Sequence, residues 1–143
     1  MTPEDELDDC WVYDALFPSA PGAGEGFTEL VATELERRNW PAQDVFAVRL
    51  AMEEALANAV EHGNQRDPKK QVVAKAVVGN ARALISVCDE GEGFDASATP
   101  DPRLEENLEK PTGRGLLLIN SFMTRVWRNE KGNEIFMEKF ATK

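Results

Sequence analysis

Between Gln71 and Asp89 two runs of β-forming residues, QVVAKAVV and ARALISVCD, are separated by little more than Gly79 and Asn80. A link that short cannot join parallel strands, which need a crossover of about a dozen residues or more, so the two runs must fold back as an antiparallel hairpin. Gly and Asn supply φ > 0 in two-residue hairpin turns, and the turn is placed on them. A second hairpin is written near the C-terminus, where MTRVWR and NEIFMEKF flank Lys131 and Gly132. Antiparallel hairpins at two places restrict the chain to a mainly antiparallel sheet.

Helical periodicity occupies the intervening segments. Residues 10 to 17, CWVYDALF, favour a strand, and Pro18 with the cluster Pro21, Gly22, Gly24 and Gly26 ends it in a turn, as suits a sheet edge. From Gly26 to Arg38 the apolar Phe27, Leu30, Val31 and Leu35 recur at steps of three and four between glutamates, which predicts an amphipathic helix. Pro41 suits the first turn of a second and longer helix through DVFAVRLAMEEALANAVEHG, with Gly63 as its left-handed terminator. Residues Glu90 to Thr112 break all periodicity and hold Gly91, Gly93, Pro100, Pro102 and Pro111. A stretch of that length in a compact domain is functional or disordered. GRGLLLINSF, residues 113 to 122, then predicts a short helix. The fold class that follows is α+β, a two-layer sandwich with helices on one face of a mostly antiparallel sheet. Residues 1–9 are read as a loose acidic N-terminus and 10–143 as one domain.

Length and charge narrow the function. At 143 residues one core is expected, and no apolar run approaches the ~18 residues of a membrane-spanning helix, so no membrane role is expected. The net charge of −10 repels a phosphate backbone and argues against direct binding of nucleic acid. The two cysteines form no disulfide framework and have no zinc-site spacing. The opening MTPEDELDDC lacks the basic and apolar regions of a secretory signal, which predicts a cytoplasmic protein with free thiols.

Three short patterns could carry chemistry. Glu54 and Asn58 are four apart on the long helix, about 40° from each other around its axis, so both can reach one ligand. Ala51, Ala55 and Ala59 flank them and leave room. A carboxylate can take a proton and an amide oxygen can ligate a hard cation such as Mg²⁺; a solvated polar helix face gives the same pattern. Asp89, Gly91 and Gly93 follow an apolar strand directly, where an Asp can accept from an exocyclic amine and glycines admit a flat ring. An ordinary acidic turn also fits. Gly113-Arg114-Gly115 opens a helix, whose free N–H groups make an anion site, although glycine caps without ligands are common.

Taken together, EEALANAVEHGN (Glu53 to Asn64), VCDEGEGFD (Val87 to Asp95) and TGRGLLLINSFM (Thr112 to Met123) resemble the N, G1 and G2 boxes of the GHKL, or Bergerat-fold, ATPase superfamily. Within it the chain most resembles the small stand-alone anti-sigma-factor serine/threonine kinases, over nearly its whole length. The resemblance implies ATP or ADP with Mg²⁺, the ion held by Asn58. Glu54 would be the base or orienter for the attacking hydroxyl, and Asp89 would read the adenine amine. Gly91 and Gly93 would line adenine and ribose, Thr112, Gly113, Arg114 and Gly115 would bind phosphates, and His62, about 80° round the helix from Glu54, would line the site. The stretch from about 94 to 112 would be a lid. Two departures stand out: relatives of this kind usually carry Thr after the last hairpin's glycine, where Gly132 is here followed by Asn133 and Glu134, and the G2 box is a short GRG.

Other schemes fail on spacing. There is no Gly-Lys-Ser/Thr of a P-loop, Gly22-Ala-Gly24-Glu-Gly26 is not the dinucleotide pattern, and the single histidine, His62, leaves no phosphoacceptor on a dimerising helix pair. The resemblance implies a kinase acting in trans on an anti-sigma-factor antagonist and sequestering a sigma factor, with homodimerisation expected from resemblance alone. The alternative is a nucleotide-dependent protein-binding module without phosphotransfer.

Overall fold

A computed structural model describes residues 10–65, 67–91 and 119–142. Strand β1 (Trp11–Pro18) is followed by helices α1 (Glu25–Arg37) and α2 (Ala42–Asn58), and α2 runs into a π-helical turn at Ala59–Gly63. Strands β2 (Gln71–Val78), β3 (Arg82–Cys88), β4 (Arg125–Arg128) and β5 (Glu134–Phe140) complete the elements, with residues 119–122 helical before β4. The sheet order is β1-β2-β3-β5-β4 and each neighbouring pair is antiparallel, which is the α+β sandwich expected. As expected, β1 lies at an edge, where Pro18, which has no N–H to donate, can end it without breaking a ladder.

Alternation sets the layers. The cross-strand rows Phe17 with Val72, Ala74 with Val87, Ala76 with Ile85 and Ile85 with Met137 point to one face. There they are buried against Val31 and Leu35 of α1 and Val48, Ala51, Met52 and Ala55 of α2. Alanines in the middle of β2 let the helices lie close. No described helix covers the other face; on it Trp127 stacks on Phe136 with ring centroids 5.5 Å apart, and Arg125 lies 4.5 Å above Trp127.

Three local expectations change. The first hairpin turns one residue later than placed: Val78 pairs with Ala83 and Gly79 N donates to Arg82 O (2.8 Å), so Asn80 and Ala81 are central, and neither Gly79 nor Asn80 has φ > 0. Contacts from the α1–α2 connection hold that turn. The buried indole of Trp40 donates to Gly79 O (3.0 Å), and Arg38 Nη1 donates to Asn80 Oδ1 (3.0 Å). The long helix is α-helical only to Asn58, beyond which the Asn64 N–H reaches Ala59 O (2.9 Å), a five-residue π step. Gly63 is not left-handed; Gln65, at φ 51, takes that role.

The second helix is also fixed at its start. Asp44, in its first turn, accepts from Thr142 N (2.7 Å) and Thr142 Oγ1 (2.9 Å), which ties α2 to the residues just after β5. Asp44 is thus a buried carboxylate that is hydrogen-bonded, with Lys139 Nζ 3.9 Å away.

Candidate functional site

At one end of the sheet, α2 and its π turn, the end of β3 and the β4–β5 turn enclose a cavity of about 400 Å³, inside the ~300–1,000 Å³ range of small-molecule sites. Ala55, Asn58, Ala59 and His62 form one wall, and Val87, Asp89 and Gly91 the opposite one. Arg128, Gly132 and Ile135 close the third side, with Gln65 and Lys70 at the entry to β2. The small Ala55 and Ala59 leave room beside the helix as the sequence suggested, whereas Ala51 is wholly absorbed in the core.

Asp89 is held from several directions. Its Oδ1 accepts from Gly91 N (2.8 Å), its N–H donates to Asn133 O (2.9 Å), and its carbonyl accepts from Asn133 Nδ2 (2.9 Å). The helix end presses on it so closely that a Cβ at Gly63 would lie 2.0 Å from Asp89 Oδ2, and a Cβ at Gly91 would lie 2.1 Å from Gly63 O. Both positions therefore require glycine for close approach rather than for dihedral freedom. Asn64, fully buried, donates to Gln71 O (3.0 Å) and accepts from Glu90 N (2.7 Å), so it joins the helix end to the start of β2 and the end of β3. Gln71 N in turn donates to the Glu90 carboxylate.

Electrostatics mark the same place. Burial pushes the Asp89 carboxyl above its ordinary range, while the Gly91 N–H and the positive charge of Arg128 pull the other way. Burial likewise lowers the pKa of the Arg128 guanidinium, opposed by the charge of Asp89. Arg128 Nη1 donates to Gly132 O (3.3 Å), and Gly132 is left-handed, at φ 83, in the turn expected at Lys131/Gly132. Asn58 presents a different signal. Its Nδ2 is buried on the cavity wall with no hydrogen-bond partner among the described residues, so this donor is not used by the fold.

The structure thus brings together Asn58, His62, Asp89 and Gly91, four of the residues singled out from sequence. Glu54, one helical turn before Asn58 and half-buried, is not among the described residues lining the cavity. Gly93, Thr112, Gly113, Arg114 and Gly115, and the lid stretch, lie outside the described residues. Sequence reasoning missed Arg128 and Lys70. The signal for Arg128 was its place at the end of a strand beside the Lys131/Gly132 turn, on the same sheet end as Asp89. Asn133, which stands where a Thr was expected, has its side chain on the Asp89 main chain and does not line the cavity.

A strand-end carboxylate, a polar helix face and the apolar side chains of Val87 and Ile135 form a compartment suited to a nucleotide base. The histidine kinase-like ATPase domain pattern matches residues 17–139. The chain belongs to that family. A histidine kinase-like ATPase domain uses a nucleotide, and its match spans every described strand and helix except most of β1 and the last residue of β5. Among curated proteins, the chain is similar to the anti-sigma F factor of Geobacillus sp. (strain WCH70), 25% identical over 87% of this chain and 90% of that protein. It is 26% identical to the anti-sigma F factor of Clostridium perfringens (strain 13 / Type A), over 84% and 90%. The serine-protein kinase RsbW of Bacillus subtilis (strain 168) is 27% identical, over 73% of this chain and 69% of that protein. No described helix is long and apolar enough to cross a membrane.

Proposed function

We propose that this histidine kinase-like ATPase domain is an ATP-dependent protein serine/threonine kinase of the anti-sigma-factor type, which phosphorylates an anti-sigma-factor antagonist and sequesters a sigma factor. The relatives' names support the partner class, and the observation that carries the nucleotide site is Asp89, locked by Gly63, Gly91 and Asn133 at the end of the cavity. In this reading residues 10–143 act as one cytoplasmic domain, and a homodimer is the working assembly.

Asp89 accepts from the exocyclic amine of adenine, with Gly91 and Gly93 against base and ribose. Asn58 would hold Mg²⁺: it lines the cavity wall, and its amide oxygen is of the hard type that ion takes. The ion would neutralise charge on the phosphates of ATP. His62 lines the same wall, and Thr112, Gly113, Arg114 and Gly115 would grip the phosphates through backbone N–H groups and a fixed guanidinium. Glu54 takes the proton from the partner's serine hydroxyl as that oxygen bonds to the γ-phosphorus, and the bond from phosphorus to the bridging oxygen breaks to release ADP.

The position of Glu54 outside the cavity lining favours a second reading, a nucleotide-dependent binding module without phosphotransfer. The two are separated by incubating the chain with γ-labelled ATP and the products of the genes that flank its own. In the kinase, Glu54→Gln keeps nucleotide affinity within a few-fold while transfer falls ~10²- to 10⁴-fold, and Asn58→Ala lowers both. Nucleotide-dependent binding of a partner with no labelled product assigns the module instead.

A further inference from the structure

We infer that a second cavity, on the opposite side of α2 from the nucleotide cavity, is a docking groove for a cationic amphipathic segment of a partner protein. The groove holds about 430 Å³ between the β1–α1 connection, α1 and α2. Its floor is apolar, formed by Phe17, Leu56 and Val60. Its rim is acidic, with Glu25 and Glu29 from α1, Glu53 from α2 and Glu61 from the π turn. No Lys or Arg is among its described lining residues, and the Arg49 guanidinium is engaged with Glu29 from outside it.

The shape is built. A Cβ at Gly24 would lie 3.0 Å from Leu56 Cδ1 and 3.2 Å from Phe17 Cζ, so the connection is pressed against the floor and holds the groove's mouth in place. One helix separates the two cavities. Leu56, Ala57, Val60 and Glu61 face the groove, while Ala55, Asn58, Ala59 and His62 face the nucleotide cavity.

Chemistry selects the occupant. The rim carries side chains of one sign, with Glu29 paired to Arg49, and an occupant of opposite charge is attracted to it. Nucleic acid and anionic lipid carry the wrong sign. A second copy of this chain brings a net charge of −10. The described acidic side chains do not converge on a metal-holding group. A helical segment with apolar residues spaced to seat on Phe17, Leu56 and Val60, flanked by Lys or Arg that meet Glu25 and Glu53, satisfies both floor and rim. The inference stands on the groove alone and does not depend on phosphotransfer.

The test uses the full chain and fluorescein-labelled peptides of Leu and Lys, about five helical turns long. One peptide places its leucines on one helical face, and the other has the same composition with no such face. Anisotropy at ~0.1 M salt, where bare charge attraction is partly screened, compares them. The faced peptide should bind about tenfold or more tightly than the control, a difference of ~1.4 kcal/mol. Glu25→Lys with Glu53→Lys should erase that preference. Ala57→Gln, an exposed helix position on the groove, should do the same by steric blockage and without a charge change. Equal binding of the two peptides, or a preference that survives in both folded variants, overturns the proposal.

Discussion

Asp89 concentrates the demands placed on a single residue. Its carboxyl is pushed up chiefly by burial, so ionising it costs the folded chain more than the unfolded one. The folded value is therefore the higher, and the native state loses stability as pH rises from the ordinary carboxylate value through the raised one. Asp89→Asn removes that loss. In the absence of nucleotide the variant should gain stability over the parent at pH ~7 and lose the advantage by pH ~3, where the unfolded carboxyl is protonated too. Denaturant midpoints at the two pH values check this, and a variant less stable at neutral pH contradicts it. Nucleotide binding should move the other way: an amine donor left without its carboxylate in a desolvated pocket costs ~1–3 kcal/mol, so calorimetry of Asp89→Asn with Mg·ATP should show affinity lower by about tenfold or more. Arg128 is the counterweight, because its charge pulls the Asp89 carboxyl down. Arg128→Met should raise that carboxyl further, read from the side-chain carbon shift during a pH titration by nuclear magnetic resonance, and an unchanged midpoint would show that the guanidinium does not act on it.

At the scale of elements, the site depends on a helix end meeting a strand end. Gly63 allows that meeting, since any Cβ there would overlap Asp89 Oδ2, and neither partner has room to withdraw: Asp89 is tethered by Asn133 and the helix end by Asn64. Gly63→Ala should therefore cost ~1–3 kcal/mol of stability through overpacking and displace Asp89 enough to weaken nucleotide binding. A folded Gly63→Ala with unchanged affinity would mean that the helix end does not position the carboxylate. The sequence made much of this legible. Strand β2 spans the β-forming run QVVAKAVV residue for residue, and the placement of Glu54 and Asn58 on one helix and of Asp89 at a strand end is legible from pattern, their roles only from the resemblance of the three motifs together. What was not legible arises from contacts distant in sequence. Local pattern makes Gly63 a left-handed terminator because it ends a helix, but its actual constraint comes from the Asp89 side chain at the end of β3. The shift of the first hairpin turn has the same origin, because Trp40 and Arg38, some forty residues earlier, hold Gly79 and Asn80. The role of Asn133 likewise depends on the pairing of β3 with β5, which local pattern does not encode.

For the whole molecule, the cavity walls come from α2, the π turn, β3 and the β4–β5 turn, elements that share one continuous core. A ligand that spans them can bind only when they are assembled, so its binding free energy is added to the stability of the entire fold. At a free nucleotide concentration of ~100 times the dissociation constant the addition is ~2.7 kcal/mol. For a chain of 143 residues that amounts to a rise in melting temperature of roughly 5–10 °C, since ~1 kcal/mol moves the midpoint by a few degrees in this size range. The variants divide by mechanism. Glu54→Gln should keep nearly the full rise, because in the kinase reading Glu54 acts on the transition state and lies outside the cavity lining. Asp89→Asn should keep only part of it at the same nucleotide concentration, since a tenfold weaker complex at ~10 times its own dissociation constant gains ~1.4 kcal/mol. Thermal melts with and without Mg·ATP give both numbers for each protein. Equal shifts in the parent and Asp89→Asn would place the nucleotide elsewhere on the molecule, and loss of the shift in Glu54→Gln would make that carboxylate a ground-state ligand and not a base.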